Sequence, residues 1–238
     1  MARTSKTEHY RREVSRIEGF SDAVFAFAIT LLVVSLEVPK TFHELMATVR
    51  AFPTFAVCFA LLFQVWWRHY RFFRKYDLED SYVIVLTGVL LFVVLFYVYP
   101  LKFLWSLPFA GLEGRTVTDD IIRLGEVPTL FFIYGAGVVA VFTILALMYS
   151  HAYHERDALA LSPEEALEAR VQIYSNVGVA LVAVGSIIIA FVCGKFAPRA
   201  VGIAGYFYST IGLVEWRIGV YESRQREKLV STTDTSTV

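Results

Sequence analysis

Apolar residues fall in long runs along the chain, and short charged clusters separate them. Six runs are long enough to cross a membrane as helices: 20–38, 51–73, 81–104, 127–149, 171–193 and 196–218. Each approaches the roughly 20 mostly apolar residues that a bilayer core demands. Lipid offers backbone groups no partner, so such runs are predicted as helices rather than strands. The pattern therefore predicts an all-α integral membrane protein of six transmembrane helices. Within the first run, Phe20, Val24, Phe27, Leu31 and Val34 recur at steps of three and four, which gathers them on one stripe of a helix. On spacing alone that stripe faces either lipid or the protein core. The run "DALALSPEEALEARVQ" reads as a polar helix start, with Ser162 as N-cap, Pro163 at the first position and Glu164 and Glu165 in the first turn.

Composition fixes the environment. The chain is 56% hydrophobic and only 18% charged, and its mean hydropathy is +0.55. Soluble domains carry about 25% charged residues. Formal net charge is zero, which leaves no basic footprint for nucleic acid. Lysine and arginine divide unevenly between the two sides of the six runs, 15 against 7, with both termini on the richer side. Positive charge stays inside, so both termini are expected in the cytoplasm. Residues 1–19 form a basic N-terminus, 20–220 the six-helix transmembrane domain and 221–238 a polar tail expected to be disordered. The polar start "MARTSKTEHYRREVSR" predicts no cleavable leader. Cys58 and Cys193 both sit in apolar runs, which does not suggest a secreted disulfide framework.

Candidate chemistry is sparse. His151, His154 and Glu155 share a helix end, where interfacial polar residues are the better reading than a metal site. Neither a nucleophile–base pair nor a metal-ligand motif emerges, so neither an enzyme nor a cofactor is expected. The run "AVGIAGY" at 200–206 lacks the threonine and the glycine spacing of a carbonyl filter. Small residues easing helix contact explain it better. The seven prolines lie near run ends or in loops, which argues against the broken helices of many carriers.

The polar residues that open the first run are more informative. Asp22 lies about 24 Å along the helix from Val38, and His69 about 25 Å from Phe52 on the next, antiparallel run, at 1.5 Å per residue. The two therefore reach similar depths near the cytoplasmic face, and Trp66 sits one turn deeper. Ser21 or Asp22 could simply cap the helix. The depth match instead predicts a buried hydrogen-bonded group of Arg16, Ser21, Asp22, Trp66 and His69 that pins the first helix, because polar groups near lipid are rarely left unpaired.

The string R-x-x-x-F-S-D at Arg16, Phe20, Ser21 and Asp22, followed by "AVFAFAITLLV", closely resembles the signature of the endosomal and lysosomal potassium channel family and its bacterial homologues. W-x-x-H-x-x-x-F at Trp66, His69 and Phe73 is similar to the end of that family's second span. The resemblance implies a cation channel without a glycine filter loop, built as a homotetramer in the bacterial cell membrane. In that family the first helix lines the central pore, and a ring of large apolar side chains forms a hydrophobic gate. The matching positions here are Phe27, Thr30, Leu31 and Val34. Relatives mostly carry Ile or Leu where this chain has Phe27. The resemblance further implies modest selectivity for potassium over sodium, no cofactor, and lipid and permeant ions as partners. Protons stay open as a second permeant. A secondary or proton-coupled transporter and a non-conducting membrane scaffold are the alternatives; saturable coupled flux would favour the first, and intact oligomers without flux the second.

Overall fold

The computed structural model describes residues 15–34, 38–111, 122–123, 125–197 and 203–235. The described residues form eight helices joined by short connections: α1 (Arg16–Val34), α2 (Phe42–Arg50), α3 (Phe52–Tyr76), α4 (Ser81–Phe109), α5 (Val127–His154), α6 (Pro163–Phe196), α7 (Ile203–Phe207) and α8 (Thr210–Thr235). Among them, α1, α4, α5 and α6 are each long and apolar enough to cross a membrane. A fifth candidate is the α2 and α3 pair, bent by 44° at the Ala51 break.

Local chemistry explains the boundaries. Thr41 caps α2 by accepting the Glu44 amide at 3.2 Å, while Glu44 accepts the Lys40 amide at 2.7 Å. Asp77, in the left-handed region at φ 48°, ends α3. Asp80 then caps α4 by accepting the Val83 amide at 2.9 Å. A full capping box opens α6, with Ser162 and Glu165 each accepting the other's backbone amide and Pro163 in the first turn.

The structure departs from the sequence reading at the C-terminal end of the membrane part. Run 196–218 is not one helix: α6 extends to Phe196, α7 is a single short turn, and α8 starts afresh at Thr210. Hydropathy cannot see this break, because 196–218 stays apolar on average while Glu215 and Arg217 already make the new helix polar. The tail expected to be disordered from 221 continues as helix to Thr235. Arg226 donates to Glu222 through both Nε and Nη2, at 2.9 and 2.7 Å, a spacing of four that supports exposed helix. The basic N-terminal positions 1–14, and Ala200 to Gly202 of "AVGIAGY", lie outside the described residues.

The bundle has one main core. Phe25, Ala28 and Leu32 of α1 meet Phe72 and Phe73 of α3, Val83, Leu90 and Val98 of α4, and Leu145, Met148 and Tyr149 of α5, all at 2% exposure or less. Phe72 meets Tyr149 edge-on at 5.3 Å between ring centroids, and Tyr76 does so at 5.7 Å, a favoured aromatic geometry. The most extensive pairing is α5 on α6, and α1 packs mainly on α4 and α3. Close approach needs glycine at two places on α5. A Cβ at Gly135 would come within 2.6 Å of Ile187, and one at Gly137 would overlap the ring of Tyr97.

Candidate functional site

Two unlike faces run along α1. One, formed by Glu18, Ser21, Phe25, Ala28 and Leu32, is buried against the bundle. The other carries Phe20, Phe27 and Val34 at 58%, 55% and 70% exposure. Thr30 shares this open face, and its hydroxyl donates to the Ala26 carbonyl at 2.9 Å. Val24 and Leu31 are half-buried at its margin. Of the residues that the resemblance singles out as lining, Phe27, Thr30 and Val34 thus stand on the uncovered arc, with Leu31 beside them.

At the N-terminal end of α1 the indole Nε1 of Trp66 donates to Asp22 Oδ1 at 2.7 Å. The depth count matched Asp22 with His69, whereas the bond forms with Trp66, one turn deeper in the same predicted group. The other members of the predicted polar group take different partners. Ser21 is buried, but its hydroxyl donates to the Ile17 carbonyl one turn back, at 2.7 Å. His69 is buried between the rings of Phe25 and Phe73, at 5.8 and 4.8 Å, and its Nε2 has no hydrogen-bond partner among the described residues. Arg16 is exposed at the helix start, and Phe20 faces outward. What holds α1 here is one charge-assisted hydrogen bond beside an aromatic cluster, because α1 presents Phe25 rather than a carboxylate to the His69 ring.

Trp66 also belongs to a ladder of rings along α3. Phe52, Phe55, Phe59, Phe63, Trp66 and Tyr70 follow one another at centroid distances of 5.2 to 6.4 Å. Steps of three and four place them on one stripe, so the indole is braced along its own helix as well as by Asp22.

A second polar centre escapes the sequence reading. Arg68 of α3 donates through Nη1 to Ser175 Oγ at 2.9 Å and Asn176 Oδ1 at 3.0 Å, and through Nη2 to Glu215 Oε1 at 3.0 Å. Ser175 donates in turn to Glu215 at 2.6 Å, Tyr149 donates to the Arg68 carbonyl at 3.1 Å, and the guanidinium lies 5.3 Å from the Phe142 ring centroid. The centre ties α3 to α5, α6 and α8. Arg68, Asn176 and Glu215 inside apolar runs were the available signal, since polar groups at such depth usually face one another.

Nearer the charged edge, Arg71 and Lys75 both pair with Glu168 of α6. His151 goes to Asp80 Oδ2 at 2.5 Å and lies 4.8 Å from the ring of Tyr82. Burial raises the Asp80 pKa, but the Val83 amide and the His151 ring outweigh that effect and leave the carboxyl below its ordinary value of 3.8.

Known proteins resemble this chain in sequence and in fold. A sequence profile described as the endosomal/lysosomal potassium channel TMEM175 matches residues 16–97, the stretch from the start of α1 into α4. A potassium channel of Marivirga tractuosa is 40% identical over 225 residues, covering 90% of this chain and 91% of that protein. A potassium channel of Chamaesiphon minutus is 36% identical over 98 residues, covering 37% of this chain and 47% of that protein. The fold matches a crystal structure of the potassium channel MtTMEM175, a threonine-to-alanine variant in complex with a nanobody–MBP fusion protein. The TM-score is 0.79 at 34% identity, covering 94% of this chain and all of that one.

Proposed function

The chain belongs to the TMEM175 family of potassium channels, and from that premise we propose that four copies gather their first helices around a central pore in a bacterial cell membrane, with both termini cytoplasmic. The supporting observation is the open face of α1. Its opposite face is fully packed, yet Phe27 and Val34 stand 55% and 70% exposed beside Thr30. In the proposed assembly these residues and Leu31 surround the axis, and Phe27 makes the narrowest ring.

An apolar ring gates by dewetting. An ion crosses it only after giving up part of its hydration shell. Potassium is larger than sodium, holds water less tightly and gives it up at lower cost. The ring therefore favours potassium without binding it, and the preference is smaller than that of a carbonyl filter. Thr30 spends its proton on Ala26, which leaves its hydroxyl oxygen as the polar surface available to a passing cation. The Trp66–Asp22 bond holds the start of α1 against α3, so the ring is carried on a helix fixed at its base.

The test is flux in liposomes containing the purified protein under potassium, sodium and proton gradients, with crosslinking to count subunits. Potassium flux above sodium flux and a four-subunit crosslinked ladder are expected; a pH-sensitive dye in the same vesicles reads proton passage. The Phe27→Ala/Leu31→Ala double variant should conduct more and show a bi-ionic reversal potential closer to zero. A reversal potential that did not move would refute the assignment of the constriction.

A further inference from the structure

On the outer side of the α5–α6 pair lies a groove of about 380 Å³. Its walls are Val139, Thr143, Leu147 and Ser150 on α5 and Ile173, Val177, Leu181 and Val184 on α6, with Ala146 and Ala180 at its floor. Leu147, Val177 and Leu181 are 41%, 41% and 64% exposed. From Ile173 to Val184 the groove is about 16 Å long at 1.5 Å per residue, close to half of a roughly 30 Å hydrocarbon core. It is one leaflet deep. The main partners of α1 are α4 and α3, and in the assembly proposed above, centred on α1, we place this groove toward the bilayer.

The two walls lead to charge. One turn beyond Ser150 on α5 stands Tyr153, and one turn before Ile173 on α6 stands Arg170. The Arg170 guanidinium lies 6.0 Å from the Tyr153 ring centroid, and that of Arg156 lies 4.9 Å from it. Two cations thus flank one ring at the mouth of an apolar groove. Among the described residues Arg170 donates to two hydroxyls, Tyr174 at 3.5 Å and Tyr221 at 3.4 Å. Arg156 donates to the Tyr153 carbonyl at 3.3 Å and meets Asp157, which is 90% exposed, only at 3.8 Å. The turn that carries Arg156 is fixed: its carbonyl accepts the Leu161 amide at 2.9 Å, and Ala160 adopts a left-handed conformation. Among the described residues the one carboxylate paired with either guanidinium is Asp157, on Arg156, long and solvent-exposed; Arg170 is steadied by the Tyr174 and Tyr221 hydroxyls.

We propose that this is a binding site for an anionic phospholipid of the leaflet at the α5–α6 turn, cytoplasmic under the topology above. Arg156 and Arg170 take the phosphate while one acyl chain lies in the groove. Guanidinium groups suit phosphate geometry, and basic residues at the cytoplasmic surface attract anionic lipid. The occupant is a lipid rather than a free phosphate because the charged mouth continues into an apolar trough of one leaflet's depth.

Native mass spectrometry of the full protein, extracted from vesicles of phosphatidylglycerol and phosphatidylcholine in equal amounts, tests the site. The wild type should retain phosphatidylglycerol preferentially. Arg156→Gln/Arg170→Gln should lower that retention roughly tenfold to thirtyfold, whereas Arg156→Lys/Arg170→Lys should keep most of it. Ser150→Phe, at an exposed position that lines the groove, should lower retention with both arginines intact. Equal retention of the two lipids by the wild type would overturn the proposal, as would unchanged retention in the glutamine variant. Displacement of the lipid by millimolar glycerophosphate would also overturn it, because the site would then need no chain.

Discussion

Replacing Arg68 with methionine removes three hydrogen bonds at one stroke, those to Ser175, Asn176 and Glu215. The stem volume is nearly kept, so the loss is one of charge and pairing. The Arg68 side chain is 14% exposed and that of Glu215 is 38%. Breaking a buried ion pair by removing one partner costs about 3–5 kcal/mol. Glu215 is more than one-third exposed and keeps the Ser175 hydroxyl at 2.6 Å, so solvent screening reduces the figure to about 2–3 kcal/mol. That corresponds to a fall in melting temperature of roughly 5–10 °C for a chain of this size. Thermal unfolding in detergent, with size exclusion as the readout of intact protein, measures it. Glu215→Leu alone strands the arginine and should cost a comparable amount. In the double variant both charges are gone, and the coupling should be about 1 kcal/mol, within the range of polar pairs in membrane bundles. A single-variant loss below about 0.5 kcal/mol together with no measurable coupling would show that the centre does not hold α8 to α3 and α6, and would refute this reasoning.

Three further outcomes follow from the packing. Trp66→Phe and Asp22→Ala should each loosen the base of α1 by about 1 kcal/mol, and the double variant should add little to either single loss; full additivity in thermal unfolding would show that the two do not act through their bond. Gly137→Ala should cost about 1–3 kcal/mol by overpacking against Tyr97, and should cost less when measured in a Tyr97→Ala background; a Gly137→Ala protein as stable as wild type would contradict the close approach. The Asp80 contribution should depend on pH in one direction: its folded pKa is held below 3.8, so the stabilisation is present above that value and fades as pH falls through the lower folded value. The gap in melting temperature between wild type and Asp80→Asn should therefore be steady on the neutral side of the carboxylate range and close on its acid side; a gap that widened in acid would reverse the sign.

Some of this architecture was legible because one dimension suffices to read it. The α1 stripe follows from helical period alone. Counting residues along two antiparallel runs brought Asp22 near Trp66 and His69 without choosing between them. Azimuth was not available in that count, and it decided the rest. His69 reaches the right depth, but its ring meets Phe25, which stands three residues from Asp22 on the buried side of the helix. The Arg68 centre needs the rotation of α3, α6 and α8 together, and no spacing in one run supplies that. The missed helix α2 had a local signature, T-x-x-E at Thr41 to Glu44 with Phe42, Leu45 and Val49 at helical steps. It was too short and too polar for a search tuned to membrane-length apolar runs. The division of 196–218 was hidden for the opposite reason, since average hydropathy remained high across it.

These azimuths give α3 a particular position in the molecule. Trp66 and Arg68 are two residues apart, about 200° around a helix of 3.6 residues per turn. One reaches α1 through Asp22, and the other reaches α6 and α8 through Ser175, Asn176 and Glu215. Tyr149 of α5 holds the backbone between these sides by donating to the Arg68 carbonyl. The helix that carries the proposed constriction is therefore tied to the outer half of the bundle through less than one turn of α3. A rotation of α1 that kept the Trp66 bond would have to turn α3 as well, and that turn would strain the three bonds of Arg68. Polar side chains are costly in lipid unless paired, so both sets of bonds resist being broken. The base of α1 is thus bonded through α3 to α6 and α8, and Glu215→Leu should change the conductance governed by the proposed Phe27 ring; unchanged single-channel conductance in that variant would refute the link.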